Sequence, residues 1–342
     1  MAIVVAGNAG IDVNDPEIGM LAEGVQAGEA TATYAALRFE GWLDEFYGQF
    51  QYNAFGQLAG GVLTGWKQTY NGQLVFEVSG ANVSVSSFLI WVANDDNATA
   101  VSTIFAGADT MTGSAFTDRL SGHAGNDSLV GGAGDDTLEG GAGQDTVSGG
   151  LGADVIRDTG GQNYLRGNEG DDNLTGGADF DDVHGNMGND TVSGGAGDDW
   201  VVGGQDNDLQ FGGDGFDVVY GNLGADTLNG DAGDDWVRGG QQADILNGGA
   251  GNDWMSGDRD NDTLTGGAGA DLFNLFAGAG QDRITDFSLA QGDRIRWEGG
   301  QPNYTVTQVG ADTVVAWGAG DQVTLVGVQA STLTGTGWFV VA

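Results

Sequence analysis

Aspartate recurs in this chain with a fixed step of nine. From Asp109 the series runs Asp118, Asp127, Asp136, Asp145 and Asp154, meets Asn163, and resumes at Asp172, Asp181, Asp190, Asp199, Asp208, Asp217, Asp226, Asp235, Asp244, Asp253, Asp262 and Asp271. Nineteen positions pass without an insertion, and eighteen of them are Asp. Low-complexity sequence does not hold phase in this way, so the period is structural. Carboxylates stacked at one spacing repel each other unless a cation lies between them. With no Cys and only two His in the chain, oxygen ligands dominate, which favours a hard cation and argues against zinc.

The remaining columns describe the element that carries these carboxylates. Two residues after each Asp sits an apolar residue, as in Leu129, Leu138, Val147, Ile156 and Leu165, with Gln210 the one break. Four residues after, Gly recurs from Gly113 to Gly266, broken only by Asp158. Two residues before, Gly dominates, with Phe116, Asp179, Asp206, Gln242 and Asp260 as exceptions. Each nonapeptide therefore reads as a tight six-residue turn followed by a strand of about three residues, its apolar position pointing inward. Two nonapeptides complete an 18-residue coil. Asp residues 18 apart then become stacked neighbours on coils about 4.8 Å apart.

Segments such as Gly131-Gly132-Ala133-Gly134-Asp135-Asp136-Thr137-Leu138-Glu139 resemble the G-G-x-G-x-D-x-U-x nonapeptide of the RTX (repeats-in-toxin) family. The resemblance implies an all-β-dominated chain built on a parallel β-roll that binds calcium through the Asp column. It covers roughly residues 107–272, half the chain. Calcium also suits a flexible all-oxygen cage better than magnesium, which demands a tight octahedron. One Asp row has ten loops and nine gaps, the other nine loops and eight gaps, giving at most 17 ions. Their +34 would offset most of the net charge of −39. Around Asn163, calcium is expected to bind more weakly or the coil to bulge.

A chain with 49 acidic and 10 basic residues does not offer the basic surface that nucleic acid requires. No apolar run reaches the roughly 18 residues of a membrane span. The start, MAIVVAGNAG, lacks the basic region of a Sec signal, so export is expected by another route.

A solenoid must cover its open strand edges. Residues 273–342 resemble the C-terminal β cap of RTX chains, beginning with Gly280-Gln281-Asp282-Arg283-Ile284-Thr285-Asp286-Phe287. Runs at 313–317 and 322–326 alternate like strands around a Gly-Ala-Gly-Asp turn. The apolar end, Trp338 to Val341, resembles the uncleaved signal read by type I secretion machinery; it also reads as a last strand. The resemblance implies a secreted, extracellular protein that folds when it meets external calcium.

Residues 1–106 read as a small β-rich domain with some α. Runs at 31–39, 49–52, 61–66 and 74–78 carry strand patterns, and Asn71-Gly72 is a hairpin signal. Residues 86–105 read as helical. The aromatics Trp42, Phe46, Tyr47, Phe50, Tyr52, Phe55, Trp66 and Tyr70 serve either as a core or as a polysaccharide platform.

No enzyme is expected. His123 and His184 lie outside any H-E-x-x-H motif, and no G-x-S-x-G elbow occurs. Glu40, Asp44 and Glu45 are the candidate acids for glycoside hydrolysis, in a region small for a hydrolase.

One outward face asks for a partner. The residues following Asp199, Asp217, Asp235 and Asp253 are Trp200, Val218, Trp236 and Trp254, and the outer flank adds Val202 and Tyr220. Either another molecule or a terminal domain covers them, or the coil geometry turns the Trp side chains edgewise. The opposite face is largely polar, with Leu209, Phe211 and Ile245 as exceptions. The first expectation is a calcium-dependent protein of the cell surface or biofilm matrix that assembles with itself into filaments or sheets. The alternative is a monomeric extracellular polysaccharide- or surface-binding module. The domains expected are thus 1–106, the roll at 107–272 and the cap at 273–342.

Overall fold

The computed structural model describes the backbone of residues 31–39, 42–52, 58–70 and 73–84, and residues 107–341 with their side chains except 114, 116, 300, 301, 319 and 336. The chain forms two compact units, residues 1–147 and 148–342.

In the first unit, Thr31–Phe39, Trp42–Tyr52, Leu58–Tyr70 and Gln73–Ser84 form an antiparallel meander. Tyr70 pairs antiparallel with Gln73; the Asn71-Gly72 pair expected to form a hairpin turn lies outside the described residues. Gln73–Ser84 then pairs antiparallel with Thr110–Thr112, which pairs in parallel with Ser128–Ala133. There the sheet changes from antiparallel to parallel. Arg119–Ala124 pairs in parallel with Thr137–Ala142, every paired residue matched to the one 18 further on, with the rung at Gly122 skipped. The helical reading of 86–105 and the side chains of the eight N-terminal aromatics lie outside the described residues.

The second unit is a two-sheet roll. One sheet stacks Tyr164–Glu169, Asp182–Met187, Trp200–Gln205, Val218–Leu223, Trp236–Gln241, Trp254–Asp258, Leu272–Phe276 and Arg294–Glu298 in parallel. The other stacks Val155–Arg157, Asn173–Ala178, Thr191–Ala196, Leu209–Asp214, Thr227–Ala232, Ile245–Ala250, Thr263–Ala268 and Gln281–Ile284. Successive strands alternate between sheets, so each coil takes two nonapeptides. Inward residues Leu165, Leu174, Val183, Val192, Val201, Val219, Leu228, Val237 and Leu246 are fully buried.

The strands are longer than the three residues expected; most run six, through the glycine pair. Asn173 to Thr175 pair with Thr191 to Ser193, one rung is skipped, and Gly177 and Ala178 pair with Gly195 and Ala196. The glycines bend the chain while it continues to bond the next coil. Gly215 has φ 134, and a Cβ there would collide with the carbonyl of Gly197. The non-glycine residues Asp179, Asp206, Gln242 and Asp260 occupy this same repeat position at φ 67, 73, 78 and 80. Side chains with a polar oxygen near the backbone tolerate that left-handed region best.

The far end of the roll is covered on both sheets. Asp321–Leu325 pairs in parallel with Gln281–Ile284 and antiparallel with Asp312–Trp317, which pairs with Tyr304–Val309. Phe339–Val341 adds in parallel beside Arg294–Glu298. Trp297, Trp317 and Trp338 are buried in this region, with the Trp297 and Trp317 rings edge to face at 4.9 Å. Among the described residues the one helical element is the short 3-10 turn Ala330–Thr332.

Candidate metal ladders and an exposed aromatic face

Each nonapeptide places its Asp immediately before a strand, where the turn closes onto the next coil. There the side chain reaches back by one coil. Asp127 Oδ1 accepts the backbone N–H of Asp109, Asp136 that of Asp118, and Asp145 that of Asp127, each at 2.7 Å. In the second unit the same bond runs from Asp154 N to Asp172, from Asp172 to Asp190, and on through Asp208, Asp226, Asp244 and Asp262, at 2.8 to 2.9 Å. The other row runs from Asn163 N to Asp181 and on through Asp199, Asp217, Asp235, Asp253 and Asp271, at 2.8 to 3.0 Å. Of the eighteen aspartates, all are buried except Asp118, which is half-buried.

One oxygen of each carboxylate is thereby used. The other is what an ion would need. From Asp172 to Asp271, Oδ2 of every Asp in the series is buried with no hydrogen-bond partner. A buried ionised oxygen in that state is costly unless a cation meets it. The glycine five residues before each Asp keeps the adjoining space free. A Cβ on Gly221 would collide with Asp226 Oδ2, and it would also strike the carbonyl oxygen of Gly239 one coil on. The same pair of oxygens meets at Gly176, Gly212, Gly230, Gly239 and Gly248. Among the described residues no three acidic or histidine side chains converge. A cation here would therefore take carboxylates from the rows and complete its shell with main-chain carbonyls. That donor set is all oxygen and suits calcium.

The electrostatics agree. Burial is the first cause raising the carboxyl groups from 3.8 to about 7 at Asp172, Asp181, Asp190, Asp217, Asp235 and Asp262, and to about 8 at Asp208 and Asp244. Neighbouring carboxylates add to the rise, and the bond from the preceding coil's N–H opposes it. Without a cation, the rows resist ionisation.

Two residues join the rows that the nine-residue step does not find. Asp282 Oδ1 accepts Asp262 N at 3.1 Å, and Asp293 Oδ1 accepts Asp271 N at 3.2 Å. They follow their partners by 20 and 22 residues. The signal available for Asp282 was its place in the Gly280 to Phe287 segment; Asp293 carried none. Before Asn163, Val155–Arg157 keeps register with Asn173 to Thr175 and Asp158 N bonds Thr175 O at 2.9 Å, but the strand ends at Arg157, three residues long where most run six.

The predicted face is also assembled. Trp200, Val218, Trp236 and Trp254 occupy matching positions on four successive strands. Trp200 and Trp236 are 47% and 53% exposed, whereas Trp254 and Val218 are half-buried. Trp236 packs on Trp254 at 5.9 Å and on Phe216 at 6.0 Å. Val202 and Tyr220 pair on the neighbouring line and are half-buried, with Arg238 lying over the Tyr220 ring. On the opposite sheet, Leu209 and Ile245 are exposed between Thr191, Thr227 and Thr263.

A family model described as the RTX calcium-binding nonapeptide repeat (4 copies) matches residues 104–138, 112–147, 121–156, 148–183, 175–210, 211–246 and 239–273. No curated protein matches the chain. Among solved structures, the extracellular lipase LipA of Serratia marcescens is 21% identical over 64% of this chain and 40% of its own, with a TM-score of 0.26. The AlgE6R3 subunit of the Azotobacter vinelandii mannuronan C5-epimerase is 28% identical over 40% of this chain and 78% of its own, with a TM-score of 0.25. The chain thus spans well under two thirds of the lipase.

Proposed function

Because residues 104–273 belong to the RTX calcium-binding nonapeptide family, we propose that this chain is an extracellular structural protein. It folds on calcium and assembles with copies of itself at the cell surface or in a biofilm matrix, as filaments or sheets. Calcium supplies the positive charge that lets buried carboxylates of adjacent coils sit ionised side by side. The chain's own residues do the rest: the Asp rows position paired oxygens, the glycines hold the space open, and the inward apolar column closes the core. In a calcium-poor cytosol the same carboxylates keep the chain open, which fits export by type I secretion machinery. Up to about 17 ions match the rows as counted from their gaps.

The observation that carries self-assembly is the file of Trp200, Val218, Trp236 and Trp254 on a chain with a charge of −39. The exposure of Trp200 and Trp236 along this line supports reading the sheet face as a contact surface. No catalytic residue enters this reading. The test is negative-stain electron microscopy of the full chain in chelator and in millimolar calcium, with Trp236→Asp beside it. Assemblies in calcium that Trp236→Asp lacks, while its circular dichroism remains that of the folded chain, support the reading. Dispersed, folded wild-type particles overturn it.

A further inference from the structure

Asn163 is the one position in the nine-residue series without a carboxylate. A second departure sits five residues earlier. Throughout the second unit, the residue five before each Asp of the series is Gly, from Gly149 before Asp154 to Gly266 before Asp271. Before Asn163 it is Asp158. The two substitutions are an exchange: the series position loses its acid, and the position that faces it gains one.

We propose that Asp158 and Asp181 are the carboxylate pair of a calcium site at Asn163, with Asp158 supplying the charge that Asn163 lacks. Elsewhere, a Cβ at this glycine position would meet both the Asp Oδ2 and a main-chain carbonyl of the next coil. The side chain of Asp158 grows from that same backbone position, which stays in register through its bond to Thr175 O. Asp158 is 4% exposed. Its Oδ1 accepts the N–H groups of Thr159 at 2.6 Å and Gly160 at 3.0 Å, which fixes the carboxylate on its turn. Asp181 is fully buried, its Oδ1 takes Asn163 N at 2.9 Å, and its Oδ2 has no hydrogen-bond partner. Asp158 is near enough to Asp181 to act on its charge. Asn163 Nδ2 donates to Gly161 O at 2.9 Å, and the Asn163 side chain also hydrogen-bonds the Asp181 carboxylate, so its amide ties the loop to the pair without adding charge.

This inference rests on the calcium reading of the rows, and the experiment separates the two. The full chain is loaded with calcium alone, dialysed to equilibrium, and its bound ions counted by atomic absorption while circular dichroism follows folding. Asp158→Asn keeps the turn-forming oxygen and removes the charge; it is expected to lose one ion per chain and to need more calcium to fold. Asp158→Gly is expected to do the same, and Asp158→Gly with Asn163→Asp, which restores the regular repeat, is expected to regain the ion. The proposal is overturned if the single variants bind as many ions as wild type, in which case Asp158 only shapes the turn. It is equally overturned if the folded double variant stays one ion short. A wild-type chain that takes up no calcium would instead sink the calcium reading itself.

Discussion

The backbone amide of Asp226 donates to Oδ1 of Asp244 at 2.8 Å, and the second oxygen of that carboxylate is buried with no hydrogen-bond partner. The two oxygens therefore have different duties. One closes the coil and survives conversion to an amide; the other requires positive charge and does not.

Asp244→Asn tests that division. The amide oxygen can still accept the Asp226 N–H, so the coil closes, but the charge needed by a cation is gone. Calcium affinity at that site should fall by at least about tenfold, a scale at which even outer-shell changes act on metal sites. Calcium titration by calorimetry reads this directly, and an unchanged isotherm would remove Asp244 from the ligand set.

The ion-free roll should depend on pH in a definite direction. Folding raises the row carboxyls from 3.8 to about 6 at Asp226, about 7 at Asp217 and about 8 at Asp208. A raised folded value favours the protonated folded chain, so its contribution is full below about pH 4 and is lost as pH rises through 6 to 8. In chelator, β-structure should grow as pH falls from 8 to 5.5. Adding millimolar calcium at pH 8 should restore it. Equal dichroism at both pH values in chelator would contradict the assignment.

Gln210 is the polar break in the inward column. It is fully buried; its Nε2 donates to Tyr220 O at 2.7 Å, and its Oε1 has no partner. Gln210→Leu gives up that bond but removes the orphaned oxygen and returns the column to its apolar pattern. The net gain should be about 1 kcal/mol, read as a rise of about 2 to 4 °C in the thermal midpoint with calcium present. A fall would mean that the bond to Tyr220 outweighs the orphan.

Gly215 offers a backbone test. Asp206 and Asp260 hold the equivalent turn position at φ 73 and 80, against 134 at Gly215, so Gly215→Asn must turn the backbone to that conformation and should cost less than a β-branched residue there. Gly215→Val puts a β-branched residue in the same region and should cost about 1 to 3 kcal/mol. Denaturant unfolding in calcium compares the two, and equal midpoints would show that the turn relaxes around either side chain.

Much of this was legible without coordinates because a solenoid turns sequence period into spatial neighbourhood. Once the coil is 18 residues long, Asp208 must lie over Asp226, and Trp236 must lie beside Trp254. The inward burial of Leu228 and the outward exposure of Trp236 follow from strand alternation alone. The strands run longer than the three residues expected because the glycine pair bends the extended chain without ending it.

What the period could not supply is whatever breaks it. Asp282 and Asp293 enter the rows because the connections before them loop out by two and four residues beyond the regular 18, and only the closed coil brings them back into line. Asp158 sits at a glycine position, and its meaning depends on which carboxylate lies across the coil from it. Trp236 and Trp254 read alike and their rings touch, yet one is exposed and the other half-buried. Order along the chain thus determined the stacking, since every coil repeats one local rule. The tertiary structure alone decided the exceptions, since a contact between non-equivalent positions exists only after the coils have closed.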